Sequence, residues 1–112
     1  MLNDPPYGAE RRYNGMRPTH ELAKADAEAA VMVFLMSDAG LAAKADQKTP
    51  DGFYNMERML KRALAGKGEV LMCGTCTDAR GLTEAEMIEG TRRSTMDELA
   101  AVTNSADKVV VF

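Results

Sequence analysis

The chain has 112 residues, 46% of them hydrophobic and 28% charged, which excludes a disordered, collagen-like or coiled-coil chain and supports one core, so residues 1–112 are read as a single domain. With 14 basic against 17 acidic residues the net charge is −3 and no run of Lys or Arg exceeds two, so nucleic-acid binding by charge has no support. The longest apolar run, Ala29 to Met36, has eight residues, well short of the roughly 18 needed to span a membrane.

The chain opens Met1-Leu2-Asn3-Asp4-Pro5-Pro6, without the basic start and apolar core of a secretory signal, and the cytoplasm is the expected location. A helix is predicted over residues 9–25, with Tyr13, Met16, His20 and Ala23 on one face. Pro18 lies inside it and costs about 3 kcal/mol in a helix interior, so a kink or break is expected there. His20, with only Glu21 as a nearby carboxylate, reads as a hydrogen-bonded packing residue rather than a base. A strand would ordinarily precede such a helix, yet only Met1 and Leu2 stand before the turn. The first strand is therefore expected to be truncated or missing, either because the coding start lies upstream or because the sheet has an open edge for a partner subunit to cover.

The run Ala29–Met36 is apolar without alternation, the pattern of a strand covered on both faces. The loop Ala45 to Gly52 follows, and Lys48 to Asn55 carries adjacent aromatics, Phe53 and Tyr54, suiting a surface turn, a lid or a subunit contact. Met56, Met59, Leu60, Ala63 and Leu64 then fall at i, i+3, i+4, i+7 and i+8, one face of a helix ending near Gly66. Val70 to Cys73 repeats the buried-strand pattern. Thr83-Glu84-Ala85-Glu86 is a capping box opening a short helix that ends by Gly90, and residues 91–94 can pair as an extra strand. A second box, Thr95-Met96-Asp97-Glu98, opens a helix with Met96, Leu99 and Ala100 as its buried stripe, and Val109 to Phe112 reads as a last buried strand. Helices alternating with buried strands imply an α/β fold with parallel crossovers. Most of the nine methionines fall on these buried stripes and strands, where they fill the core.

The chemistry is expected at Cys73-Gly74-Thr75-Cys76-Thr77-Asp78-Ala79-Arg80-Gly81, directly after a buried strand, where open α/β sheets gather ligands and reactive groups. Two thiols three residues apart exchange sulfur or electrons, because the second attacks whatever disulfide or persulfide forms on the first. The nucleophile is the thiolate, so something must lower the thiol's pKa. Arg80, free amides of the following turn and any cationic neighbour are the candidates, whereas Asp78 opposes them. Two buried, inert cysteines are the plain alternative. A structural zinc ion is another, and with two Cys and one distant His it requires a second subunit's pair. No GxGxxG or GxxxxGK occurs, so neither a dinucleotide nor a P-loop reading has a foothold.

Asn3-Asp4-Pro5-Pro6-Tyr7-Gly8, Glu10-Arg11, Tyr13-Asn14-Gly15, Lys48-Thr49-Pro50 with Tyr54-Asn55, Cys73-Gly74-Thr75-Cys76 with Ala79-Arg80-Gly81, and Ser94-Thr95-Met96-Asp97 stand in one order. In that combination the chain resembles the DsrE/DsrF-like (YchN-like) family over nearly its whole length. The resemblance implies a three-layer α/β/α sandwich with a mainly parallel sheet, here of about four to five strands. It also implies homo-oligomers such as trimers or hexamers and a place in intracellular sulfur oxidation or sulfur relay; sulfur donor and acceptor proteins are the expected partners, and no cofactor or metal is expected. In the better-understood members of that family a cysteine just after a central strand carries sulfur as a persulfide. The spacing to Arg80-Gly81 puts that role on Cys73, with Cys76 as an additional thiol and Arg80 as stabiliser of the anionic sulfur. Pro18 and the short first strand depart from the family pattern and bear on stability and assembly. Three readings follow: a persulfide carrier, a CxxC dithiol oxidoreductase without the flanking aromatic and proline of thioredoxin-like pairs, and a non-catalytic oligomeric binding module with inert or zinc-sharing thiols.

Overall fold

The computed structural model describes residues 1–112. Its centre is a parallel sheet of three strands, β1 (Met32–Leu35), β2 (Glu69–Cys73) and β3 (Thr91–Ser94), adjacent in that order. The register sets Leu35 beside Met72 and Cys73 beside Ser94, so the strands finish together at one rim. The helices are α1 (Arg11–Ala25), α2 (Met56–Leu64), α3 (Gly74–Asp78) and α4 (Met96–Ser105), with 3-10 segments at Ser37–Ala43 and Glu84–Glu86. This is the α/β architecture with parallel crossovers that the alternation of patterns predicts.

The sheet has three strands rather than four to five because its outer segments are too short to count. Leu2 pairs with Leu35 as a single parallel bridge, donating to the Phe34 carbonyl and accepting from the Met36 amide, both at 2.9 Å. The truncated first strand is thus one residue of pairing. On the other side the Asn3 amide donates to the Phe112 carbonyl at 3.0 Å, and the Phe112 amide to the Met1 carbonyl at 2.9 Å. The buried strand expected at Val109–Phe112 needs correction. These residues form no regular strand, and Val109, Val110 and Val111 are exposed, because a segment at the sheet edge has backbone partners on one side only. Phe112 alone packs against the core.

Three further expectations are corrected. α1 runs unbroken through Pro18. The carbonyl that Pro18 orphans belongs to Asn14, an exposed residue with water at hand, and the Thr19 hydroxyl back-bonds to the Gly15 carbonyl at 3.1 Å beside it. The helix expected from Thr83 to Gly90 is a single turn, Glu84–Glu86. Its capping box forms, the Glu86 carboxylate accepting from the Thr83 amide and hydroxyl, but burial of Ile88 then draws the chain into an antiparallel bridge with Lys44 at Met87. The third is α4, which has no buried residue. Met96 is 49% exposed, Ala100 is exposed, and only Leu99 packs partly against the sheet.

Alternation along the strands divides the core. Val33, Leu35, Val70 and Met72 face α1, α2 and the Ser37–Ala43 segment, where they join Met16, Met56, Leu60, Ala39, Ala42, Ala43 and Ile88 in one cluster. Phe34, Leu71 and Cys73 form a three-residue cluster on the other face, covered by Met1, Met32, Met36, Cys76 and Leu99. The helix layers are therefore unequal, and the cysteine lies on the thin side.

Candidate functional site at the end of the central strand

Cys73 is the last residue of β2 and Gly74 the first of α3, so strand becomes helix without an intervening loop. This sharp transition turns the amides of Thr75 and Cys76 back toward the Cys73 sulfur. The Thr75 hydroxyl lies 3.3 Å from the same sulfur, and the neighbouring Cys76 thiol acts with it to favour the thiolate. Burial pushes the Cys73 thiol up, but these donors outweigh it and hold the thiol below its ordinary value. Cys76 is driven the opposite way. Burial and the neighbouring Cys73 thiol raise it, against a bond from the Ser37 amide and the field of Arg80. The two thiols are thereby shifted in opposite directions, Cys73 down and Cys76 up. Cys73 is 4% exposed, Cys76 is half-buried and Thr75 is exposed, so anything arriving from solvent meets Cys76 and Thr75 before Cys73.

The rim is completed by the turn after β1. Ser37 takes a left-handed φ of 50° there, a strained conformation for a residue with a Cβ, and this brings its amide to the Cys76 sulfur. Arg80, expected beside the anionic sulfur, is engaged elsewhere. Its Nε and Nη2 donate to Asp38 Oδ1 at 2.9 and 2.7 Å, and its Nη1 to the Cys76 carbonyl at 2.9 Å, clamping α3 to the Asp38 turn. The cation over the start of α3 is Arg93 of β3. A Cβ on Gly74 would stand 2.9 Å from its Nε, and its pKa is raised by pairing with Asp78 and, in smaller part, by attraction to Cys73. Arg93 Nη1 donates to Asp78 Oδ1 at 2.6 Å, so the carboxylate expected to oppose thiolate formation is neutralised. Arg93 was not among the predicted site residues. The signal was available: parallel pairing of 91–94 against the strand ending at Cys73 sets Arg93 beside Met72 and Ser94 beside Cys73.

His20 packs as predicted, its Nε2–H donating to the Met59 carbonyl at 2.9 Å. Arg12, which the sequence does not single out, is buried with none of its guanidinium nitrogens hydrogen-bonded. Burial lowers its pKa to about 10 against the favourable fields of Asp4, Asp38 and Tyr54. No three His, Cys, Asp or Glu side chains of the chain converge where a metal would sit. No helix is long and apolar enough to cross a membrane.

The family model for DsrE/DsrF-like proteins matches residues 1–112. Protein YchN of Escherichia coli K12 is 40% identical over 112 residues, covering all of this chain and 95% of that protein. An uncharacterized protein of Methanocaldococcus jannaschii is 35% identical over the same span, covering 96% of its own length. The crystal structure of the E. coli ychN protein superposes with a TM-score of 0.93 at 39% identity, covering 99% of this chain and 95% of that one.

Proposed function

The chain belongs to the DsrE/DsrF-like family, and on that premise we propose that it is a sulfur-relay protein carrying a persulfide on Cys73. The observation that supports this reading most directly is the place of Cys73 at the end of β2, its sulfur 3.3 Å from the Thr75 hydroxyl and beside the start of α3, surroundings that hold its thiol below the ordinary value. Such surroundings stabilise a thiolate, and they equally stabilise the anionic inner sulfur when a persulfide departs.

In the proposed cycle the Cys73 thiolate attacks the outer sulfur of a donor persulfide. The donor's S–S bond breaks, its own thiolate leaves, and Cys73 holds the transferred sulfur as Cys73–S–SH. An acceptor thiolate then attacks that outer sulfur, forms its own persulfide and regenerates the Cys73 thiolate. Alternatively the Cys76 thiolate attacks the inner sulfur, giving a Cys73–Cys76 disulfide and releasing hydrosulfide, after which an external dithiol must reduce the pair. The Asp38–Arg80 clamp positions Cys76 for that second branch. The donor and acceptor are proteins in this reading, and the chain works as a homo-oligomer, the trimer or hexamer implied by family resemblance. The exposed valines of 109–111 at the sheet edge are consistent with that assembly.

Intact-mass spectrometry after incubation with a persulfide donor tests the reading. One added sulfur on the wild type, absent from Cys73→Ser and retained by Cys76→Ser, is the expected result. No adduct on a wild-type protein whose thiols still titrate would overturn it. The placing of the two thiols three residues apart across the β2–α3 junction favours one rival, a dithiol oxidoreductase cycling between thiol and disulfide. Turnover in an insulin-reduction assay without any persulfide species would select that rival.

A further inference from the structure

A second feature lies apart from the thiols. Between α1 and α2 runs an open groove of about 890 Å³ whose lining includes no residue of the cysteine segment 73–80. That volume falls within the range of small-molecule sites.

The groove concentrates positive charge on a chain whose net charge is −3. Arg17 of α1 and Arg58 and Arg62 of α2 line it, against one carboxylate, Glu21. None of these three arginines forms an ion pair, although Arg11, Arg80, Arg92 and Arg93 are each matched to a carboxylate. Arg58 and Arg62 stand one helical turn apart, where like charges repel, and an anion between them would relieve that repulsion.

The remaining wall is aromatic. The Tyr13 and Tyr54 rings stack with centroids 4.8 Å apart, and the Arg17 guanidinium lies 5.6 Å over the Tyr13 ring. Phe53, at the groove's edge, is 69% exposed. An aromatic left in water beside cations gains most when a planar ring stacks on it. The hydrogen bond from His20 to the Met59 carbonyl ties the two helices across the groove, so its walls stand preformed.

We propose that this groove binds a small, multiply anionic ligand with a planar ring, the chemistry of a nucleoside phosphate, its phosphates held by Arg58 and Arg62 and its ring against Phe53. The site is independent of the sulfur chemistry and accounts for the aromatic pair at 53–54 and the unmatched arginines together.

Isothermal titration of the full chain with ATP, adenosine and tripolyphosphate tests it. ATP is expected to bind more tightly than either fragment and to weaken as salt is added. Arg58→Gln combined with Arg62→Gln should weaken ATP by about tenfold or more, the loss of charge-assisted contacts. Phe53→Ala should weaken ATP and adenosine while leaving tripolyphosphate unchanged. All three positions are exposed, and circular dichroism checks that the variants fold. Absence of ATP binding at millimolar concentration would overturn the proposal, as would equal affinity in the arginine variant. So would a change of oligomeric state in that variant without ATP binding by the wild type, which would give the groove to a second copy of the chain.

Discussion

The two faces of the sheet are built for different ends. On one, thirteen buried residues lock β1 and β2 to α1, α2 and the Ser37–Ala43 segment. On the other, three buried residues, Phe34, Leu71 and Cys73, are covered by partly buried side chains and by an α4 that buries nothing fully. Since apolar burial is the main favourable term in folding, stability is concentrated on the first face. The Cys73 sulfur belongs to the second, at the end of the strand both faces share. A thick face holds β2 still, and a thin one leaves the rim at Thr75 and Cys76 open to an incoming group.

The largest effect should come from cutting into each face with the same substitution. Leu60 is fully buried in the thick cluster, and Leu60→Ala should cost about 2–5 kcal/mol in urea unfolding through lost contacts and a residual cavity. Leu99, half-buried over the thin cluster, should cost below about 1 kcal/mol on truncation to Ala. Equal costs would break the comparison and mean that α4 is buried in the working assembly as deeply as α2. A loss for Leu99→Ala that grows with protein concentration would identify a second copy as the covering layer.

A smaller effect sharpens the chemical side. Thr75→Val removes the hydroxyl 3.3 Å from the Cys73 sulfur while keeping the shape. Losing a donor to the thiolate raises the Cys73 pKa, so alkylation by iodoacetamide at neutral pH should slow about fivefold, the value of one ordinary hydrogen bond. The difference should vanish at alkaline pH, where Cys73 is ionised in both proteins. Arg93→Gln should slow the same reaction, because Arg93 attracts the thiolate and its loss leaves Asp78 without its cation. Arg80→Gln should leave Cys73 nearly unchanged and alter Cys76, the residue whose carbonyl it holds.

These residues also show what the sequence could disclose. The stripe Met56, Met59, Leu60, Ala63, Leu64 predicts α2 because one face of that helix meets a deep surface, and the run Val70–Cys73 predicts β2 because both its faces are covered. Met96, Leu99 and Ala100 have similar local spacing, yet α4 stays on the surface, since periodicity reports which side would be buried and not whether a surface exists to receive it. Val109–Val111 fails as a strand because that segment, at the sheet edge, finds backbone partners on one side only. At the site, the two thiols are legible from their spacing and the family resemblance puts the carrier role on Cys73, whereas the opposite shifts of the two thiols are not legible, because they depend on where the Thr75 and Ser37 groups point after folding. Proximity in sequence points to Arg80 as the sulfur's cation, whereas β-sheet register supplies Arg93 from twenty residues beyond Cys73.

The smallest expected effect concerns acid. Glu86 and Glu98 each have a pKa lowered from 4.5 to about 2. Glu86 is lowered first by the Thr83 amide and then by Lys44, and Glu98 first by Arg92 and then by Ser94. A carboxylate whose folded pKa is depressed stabilises the fold above its ordinary value and loses that contribution as pH falls from about 4.5 through about 2. Around Glu86, on the thick face, the Ile88–Ala43 backbone bond and the burial of Ile88 persist when the carboxylate protonates. Glu98 is different, because α4 has no fully buried side chain and, beyond the partial packing of Leu99, its attachment rests on Arg92, Ser94 and the Thr95 cap. Hydrogen exchange between pH 4.5 and 2 should therefore accelerate at α4 amides before those of α2, once corrected for intrinsic rates. Glu98→Gln should reproduce the α4 acceleration at pH 7, and Glu86→Gln should not. Simultaneous loss of protection in α2 and α4 would mean that the two faces unfold as one unit and that α4 gains its stability from contacts beyond this carboxylate.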